Sequence, residues 1–296
     1  MALYRREFLK LAGLGSVFLV TGLGTSAFAA QTKPRAKAFT FVQLSDAHWG
    51  FTGPALNPEA ATTLKRAVDA VNALKPQPDF IVFTGDLTHT TEDPQERRRR
   101  LREFKEIVSA LKVKDVRFLP GEHDASLDYG EAYKEFFGQT YYTFEHKGVH
   151  FIALDNVSDP AASLGDKQLK WFEGELKEYA KDAPIVVLTH RPLFDLYPQW
   201  DWATRDGARA IELMAPYTNL TVLYGHIHQE NHFLTGQTPH HAAKSLIFPL
   251  PAPGSTPKRT PIPWDPAEPF KGLGFRGVDS LAAAKGLKLT EYPLKA

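Results

Sequence analysis

Five short apolar runs in this chain each end on residues able to ligate a metal. Phe39–Leu44 leads to Asp46 and His48, and Phe80–Thr84 leads to Asp86. Val116–Leu119 leads to Glu122 and His123, Ile185–Leu188 to His190, and Leu220–Tyr224 to His226 and His228. Taken singly each signal is weak, since an Asp-x-His pair or one histidine is usually structural. Together, five strands delivering carboxylates and imidazoles to one sheet edge would build a metal centre, because ligand sites in open α/β sheets form outside the carboxyl ends of strands. Gly85, Gly121 and Gly225 at the exits let the backbone turn sharply beside such a site. The chain has 296 residues, eleven histidines and no cysteine. That excludes a disulfide framework, a thiolate site, an iron–sulfur cluster and a cysteine nucleophile. Any metal must be held by nitrogen and oxygen.

The elements that carry these residues alternate. Helical spacing predicts helices over 58–74, with Leu64, Ala67, Val68 and Val71 on one face, over 94–111 and over 166–180. A short helix is expected near 130–137. Tyr141–Glu145 and Val149–Leu154 read as a hairpin around Lys147-Gly148. Alternation of this kind argues for an α/β class with a mixed sheet. The stretch from about 249 to 277 is rich in proline and glycine and reads as irregular, with a short strand or helix after it.

The first thirty residues read as an address. Arg5-Arg6-Glu7-Phe8-Leu9-Lys10 is followed by an apolar stretch and Ala27-Phe28-Ala29, the order of an export signal. The run resembles the bacterial twin-arginine (Tat) consensus. Residues 1–29 are therefore expected to be a Tat-type signal peptide, and 30–296 a single domain located in the periplasm or secreted. The Tat machinery is an expected partner, and no stable membrane partner is expected after cleavage. Residues 1–29 carry a net +2 from Arg5, Arg6, Lys10 and Glu7, and the whole chain is +1, which leaves −1 on the remainder. A near-neutral body gives no electrostatic case for nucleic-acid binding. The one basic run, Arg97–Arg100, alternates with nearby acids and reads as a solvated helix face.

The ordered set Asp46-x-His48, Gly85-Asp86, Gly121-Glu122-His123-Asp124, Thr189-His190 and Gly225-His226-x-His228 resembles the calcineurin-like metallophosphoesterase superfamily. The resemblance implies a four-layer α/β/β/α sandwich acting as a metal-dependent phosphoesterase on a small-molecule phosphomonoester or phosphodiester. It also implies two metal ions about 3.5–4 Å apart, a spacing suited to phosphoryl transfer. By position, Asp46, His48, Asp86 and His228 would hold the first metal. Asp86, Glu122, His190 and His226 would hold the second, with Asp86 bridging. A nitrogen and oxygen donor set suits Fe, Mn or Zn more than Mg or Ca. A hydroxide shared by the metals would attack phosphorus, His123 would contact phosphate or protonate the leaving oxygen, and Asp124 would orient His123.

Two positions depart from the family pattern. Glu122 stands where the family has asparagine. It adds one negative charge, so two divalent metals leave +1 at the centre, and one trivalent iron with one divalent metal restores +2. Glu122 is expected either to favour Fe(III), to weaken the pull on phosphate, or to yield a non-hydrolytic or redox-active metal-binding protein on the same fold. His89 falls where purple acid phosphatases carry an iron-bound tyrosine, and could be an additional ligand, a neighbour of the ligands, a phosphate contact or a surface residue. His146, His150, His232, His240 and His241 have no motif around them and read as solvent-exposed, with His232 near enough to reach the site rim. Trp49, Trp200 and Trp202 either pack loops or stack on substrate, and Arg191 is a candidate phosphate partner.

Overall fold

The structure, a computed structural model, describes residues 37–280 and 286–295. The expected signal segment, residues 1–29, lies outside them.

All five apolar runs that precede ligands are strands, with the boundaries expected. β1 (Phe39–Leu44), β2 (Phe80–Thr84) and β3 (Val116–Leu119) lie side by side and parallel. β10 (Gly274–Ser280) pairs antiparallel with β1, and β11 (Leu287–Pro293) with β10, giving a five-stranded sheet in the order β11-β10-β1-β2-β3. The second sheet is six-stranded, in the order β4-β5-β6-β7-β9-β8. It begins with the expected hairpin, β4 (Tyr142–His146) and β5 (Val149–Ala153), and continues in parallel through β6 (Ile185–Leu188), β7 (Leu220–Tyr224) and β9 (Thr238–Ala242). β8 (Asn231–Thr235) closes the far edge antiparallel to β9.

Strand side chains alternate faces, and β1 shows what each face buries. Phe39 and Phe41 point at the other sheet and pack with Phe80, Phe151, Val186 and Leu223. Val42 and Leu44 point the other way, against α1 (Ala60–Ala73) and α2 (Pro94–Val108), through Leu64, Val68, Val71, Phe104 and Val108. On the second sheet, α5 (Gly165–Lys177) and α6 (Gly207–Met214) cover Ile152, Val187 and Val222 with Leu169, Phe172 and Met214. The layers are thus helix, sheet, sheet, helix, as the resemblance implies. Each fully buried Leu, Val or Phe contributes about 1.5–3 kcal/mol, so the burial of both faces explains the near-continuous apolar runs of β2, β6 and β7. Two short helices, α3 (Glu122–Ala125) and α4 (Glu131–Phe137), follow β3. Among the described residues, no helix is long and apolar enough to cross a membrane.

The proline- and glycine-rich stretch gives way to β10 at Gly274, four residues before its expected end. Those glycines mark close backbone approach. A Cβ on Gly274 would lie 2.6 Å from the carbonyl oxygen of Tyr292, and one on Gly277 would lie 2.8 Å from the Tyr292 ring. β8 and β9 complete the second sheet, and residues 243–248 form no strand.

Candidate metal centre

The strand exits of both sheets bring the expected ligands together, and they do so through an unusual backbone. Asp46, His48, Asp86, His226 and His228 all have positive φ, between +43° and +66°. This left-handed region is sparsely populated by residues with a side chain, and strain of this sort costs of order 1–3 kcal/mol per residue. Neighbouring exits hold it in place. Asp46 N–H donates to the Gly85 carbonyl at 3.0 Å, His48 N–H to the Asp86 carbonyl at 2.9 Å, and Gly225 N–H to the His190 carbonyl at 2.9 Å. Two of the exit glycines are dictated by contact. A Cβ on Gly121 would fall 2.0 Å from Asp86 Oδ1, and one on Gly225 would fall 2.0 Å from Ser45 Oγ.

Two donor sets result. Asp46, His48, Asp86 and His228 form the first, with all four side chains buried. His48 Nε2 lies 3.1 Å from His228 Nε2 and 3.3 Å from Asp86 Oδ2, and His228 Nε2 lies 3.4 Å from Asp46 Oδ1. Glu122, His190 and His226 form the second. Glu122 Oε1 is 2.8 Å from His226 Nδ1, and its Oε2 is 2.9 Å from His190 Nε2. Asp86 Oδ2 also approaches His190 Nε2 at 3.4 Å, so one oxygen faces both sets, the position of a bridge.

These residues fit a pair of cations. Glu122 Oε2, His190 Nε2 and both ring nitrogens of His226 are buried and, apart from the close approaches of Glu122 to the two imidazoles, have no hydrogen-bond partner. Buried polar atoms are otherwise almost always satisfied, so four at one point mark a missing partner. The other ring nitrogens of two ligands are already fixed: His190 Nδ1 lies 2.7 Å from the Thr84 carbonyl and His228 Nδ1 2.8 Å from that of Phe248. This is how metal-binding imidazoles are oriented, with Nε2 facing the ion. Burial opposes charge on Glu122, but His226 and His190 outweigh it and hold its carboxyl well below the usual range. Burial likewise opposes charge on Asp46, and His228 and His190 hold it low. His190 is pushed well above the usual imidazole range, against its burial, by Asp86 and Glu122. The same concentration of negative charge attracts a metal cation, and metal and proton compete for it.

His123 stands at the mouth. Its side chain is 27% exposed, and Nε2 points at Asp86 Oδ2 from 3.9 Å. Its expected partner is a correction. Asp124 does not touch His123, because its two oxygens are taken by the N–H groups of Leu87, Thr88 and Gly121 and by the Thr88 hydroxyl, at 2.8–2.9 Å. Asp124 thus ties the exit of β2 to the exit of β3. Burial and the Asp86 charge push its carboxyl up to about 7. Thr90 takes the place beside His123, with its hydroxyl 2.6 Å and its N–H 3.2 Å from Nδ1. Nothing in Gly85-Asp86-Leu87-Thr88-His89-Thr90 singles this threonine out in the sequence. His89 lies beside His48 and His123, and the three form a further group whose donor atoms could share an ion. His89 Nδ1 is 3.3 Å from His48 Nδ1, its ring stacks on His123 at 5.0 Å, and burial together with His123 lowers its pKa to about 4.

Other candidates fall away. Arg191 is buried and donates to the carbonyls of Ala203 and Asp201, and it pairs with the Asp201 carboxylate at 2.9 Å, so no phosphate can reach it. Trp200 and Trp202 are buried among Phe194, Tyr224 and Ile227, and Trp49 donates to Glu103, so these rings pack loops. His240 is fully buried rather than exposed and lies 2.7 Å from the Thr235 hydroxyl. His232 pairs with His241 across β8 and β9 at 2.7 Å. His146 reaches Asp79, and His150 stacks on Tyr179. The basic run is only partly a solvated face. Arg99 is exposed and Arg98 half-buried, both in ion pairs, whereas Arg97 is buried against Asp128.

A probable cyclic nucleotide phosphodiesterase of Rhodococcus erythropolis is 30% identical over 208 residues, covering 66% of this chain and 66% of that protein. A probable glycerophosphodiester phosphodiesterase of Arcobacter nitrofigilis is 25% identical over 202 residues, covering 64% of this chain and 71% of that one. The match thus spans just under two thirds of the first relative's length. The crystal structure of a dimetal phosphatase from Danio rerio shares the fold, with a TM-score of 0.56 at 13% identity over 87% of this chain and 99% of that one. The family described as calcineurin-like phosphoesterase matches residues 39–230, a span that holds every residue of the two donor sets, and the chain belongs to that family of hydrolases.

Proposed function

We propose that the protein hydrolyses a phosphodiester with two metal ions held at the meeting point of the two sheets. The observation that carries this reading is Asp86 Oδ2, which faces both donor sets at 3.3–3.4 Å. Asp46, His48, Asp86 and His228 would hold one ion, and Asp86, Glu122, His190 and His226 the other. When bound, the ions supply Lewis acidity toward phosphoryl oxygens and a water of lowered pKa. The chain's own residues do the rest. Asp86 fixes the separation of the two sets, and Glu122 adds a negative charge to the second. His123 turns Nε2 toward the site, where it could hydrogen-bond a phosphoryl oxygen or, as the imidazolium, give a proton to the leaving oxygen. The Rhodococcus and Arcobacter relatives are named for diesters, while similar proteins such as one of Mus musculus, 27% identical over 197 residues, are named as serine/threonine-protein phosphatases, so monoesters are tested beside diesters. The twin-arginine pattern at Arg5-Arg6 supports export, with a periplasmic or secreted location and the Tat machinery as partner.

The extra charge of Glu122 favours a centre of one trivalent and one divalent ion, iron with manganese or zinc. The test of the activity is a panel of bis-aryl and aryl phosphates with Mn- or Fe-loaded full-length protein. Turnover that falls at least about 100-fold in His123→Ala supports the reading. No turnover of either ester by fully loaded protein contradicts it and favours non-hydrolytic or redox chemistry.

A further inference from the structure

We propose that the cavity between the proline-rich segment and the exit of β7 is a subsite for an uncharged, mostly apolar alcohol group of the phosphodiester. It rests on the reading of the protein as a phosphodiesterase. The cavity has a volume of about 470 Å³, within the range of small-molecule sites. His228, a member of the first donor set, is part of its lining. Sharing that residue places the cavity next to the first donor set. Most of the remaining wall is apolar, from Leu56, Ile247, Leu250, Ile262, Trp264 and Leu273. The charged groups that line it are already engaged. Lys244 pairs with Glu230 at 3.4 Å, Lys271 pairs with Glu268 at 2.5 Å, and Asp265 accepts from the Ala267 N–H at 2.8 Å. Both lysines are thus neutralised by neighbours, and the chemistry that fits is apolar contact rather than capture of a second anionic group.

The wall that closes this cavity is held in place from several sides. It leaves and returns beside a ligand, since Ser245 Oγ donates to the Asp46 carbonyl at 3.1 Å and Gly274 N–H to the Ser245 carbonyl at 3.2 Å. The Phe248 carbonyl meets His228 Nδ1 at 2.8 Å. Farther out, Asn57 Nδ2 donates to the Ile247 carbonyl at 2.7 Å, Gln229 Nε2 to that of Pro251 at 2.9 Å, and Trp264 N–H to that of Ala55 at 3.0 Å. Ile262 N–H donates to the Pro249 carbonyl at 3.0 Å, which folds the segment back on itself. Proline suits such a wall, because it brings no N–H that an apolar lining would leave unpaired. A wall tied at this many points is formed before any ligand arrives, which lowers the ordering cost of binding. Most of it lies beyond residues 39–230, the span of the family match. The preference it confers therefore belongs to this chain's own segment, and it gives the proline-rich stretch a role that irregular structure alone does not explain.

The experiment uses two anionic probes without an ester bond, dimethylphosphinate and methyl(1-naphthylmethyl)phosphinate. Their affinities for Mn(II)-loaded, full-length protein are measured by calorimetry. The wild type should bind the naphthyl probe about 10-fold or more tighter than the methyl one. Ile262 is 44% exposed, so its replacement leaves the core intact. Ile262→Asp sets a charge against the apolar wall and should cut the preference to below about 3-fold, whereas Ile262→Leu should keep it. In hydrolysis, Ile262→Asp should raise KM for bis(4-nitrophenyl) phosphate about 5-fold, more than it lowers kcat. Equal affinity of the wild type for the two probes overturns the proposal. So does a preference that survives unchanged in both Ile262→Asp and Trp264→Ala. If the wild type hydrolyses no phosphoester, the proposed activity fails, and the ratio of probe affinities still decides the role of the cavity.

Discussion

Glu122 Oε1 lies 2.8 Å from His226 Nδ1, so a partly exposed carboxylate meets a buried imidazole. The glutamate therefore sits within its donor set in spite of its extra methylene, which the one-turn α3 absorbs by starting at Glu122 itself. Replacing it with the shorter neutral amide should change which metals are held rather than whether the protein folds. Wild-type protein loaded from a mixture of iron, manganese and zinc should carry iron in one of its two positions. Glu122→Asn should lose iron in favour of two divalent ions. Equal iron content in both, measured by elemental analysis, would falsify the charge argument.

His89 bears on metal affinity through His48. The ring nitrogens of His190 and His228 that face away from the donor sets meet carbonyls, whereas His48 Nδ1 meets the imidazole of His89 at 3.3 Å. Removing such a partner costs about 10–100-fold in metal affinity. His89→Ala should therefore release the first metal to a competing chelator at 10-fold or more lower concentration, and His89→Gln should recover part of the loss. Unchanged affinity in His89→Ala would show that the contact orients nothing.

Gly121 has no space for a side chain. A Cβ there would lie 2.0 Å from Asp86 Oδ1 and 2.1 Å from the Asp86 backbone nitrogen, and backbone cannot yield as a flexible side chain can. Gly121→Ala should cost at least about 2 kcal/mol, a fall in Tm of roughly 5 °C or more for a chain of this size. It should also lower metal occupancy, since Asp86 serves both sets. Calorimetry on the same preparation used for metal analysis tests both, and a wild-type Tm would mean that the exits of β2 and β3 are more loosely apposed than they stand here.

His240 predicts a pH dependence away from the metals. Burial, with help from His241, lowers its pKa to about 4 from an ordinary 6.5. Below pH 6.5 the unfolded chain takes up a proton that the folded chain refuses, so stability falls as pH drops from 6.5 to 4 and the contribution is spent below that. The loss should be roughly 2–3 kcal/mol across this window. His240→Phe, beside the Phe194 ring at 5.2 Å, cannot titrate. The stability difference between it and the wild type should shift in its favour through that window, as read by denaturant unfolding at pH 7, 5.5 and 4. Parallel curves would show that His240 is protonated in the folded protein.

Four of the five ligand-bearing strands were legible because they are buried on both faces, so composition marks them; β3, an edge strand, is only partly buried. Phe39–Leu44 and Ile185–Leu188 could hardly be anything else. β8 and β9 gave no such signal. Asn231-His-Phe-Leu-Thr235 and Thr238-Pro-His-His-Ala242 lie at a sheet edge and carry polar and imidazole side chains, two of which, His232 and His241, face each other across the register. β10 was hidden because glycine in Gly274–Ser280 marks close approach to Tyr292 rather than a turn, whereas β11 falls where a short strand or helix was expected. At the site, the strand ends marked where metal-ligating residue types would gather, and the family resemblance picked out the seven candidate ligands, which the structure brings together. The partner of His123 could not. Asp124 and Thr90 are both near it in sequence or space, and only the path of the backbone after β2 decides that Asp124 turns toward Leu87 and Thr88 while Thr90 turns toward the ring.

The central claim is that two ions, meeting at Asp86, make this centre hydrolytic, with Glu122 as a ligand of the second. The most direct test titrates metal-free, full-length protein with Mn(II) or Fe while following bound metal and bis-aryl phosphate turnover on the same sample. The account predicts two ions per chain, with turnover rising as the second binds, and Glu122→Ala stopping at one ion with little turnover. Saturation of the wild type at a single ion, or two bound ions with no hydrolysis, would contradict it.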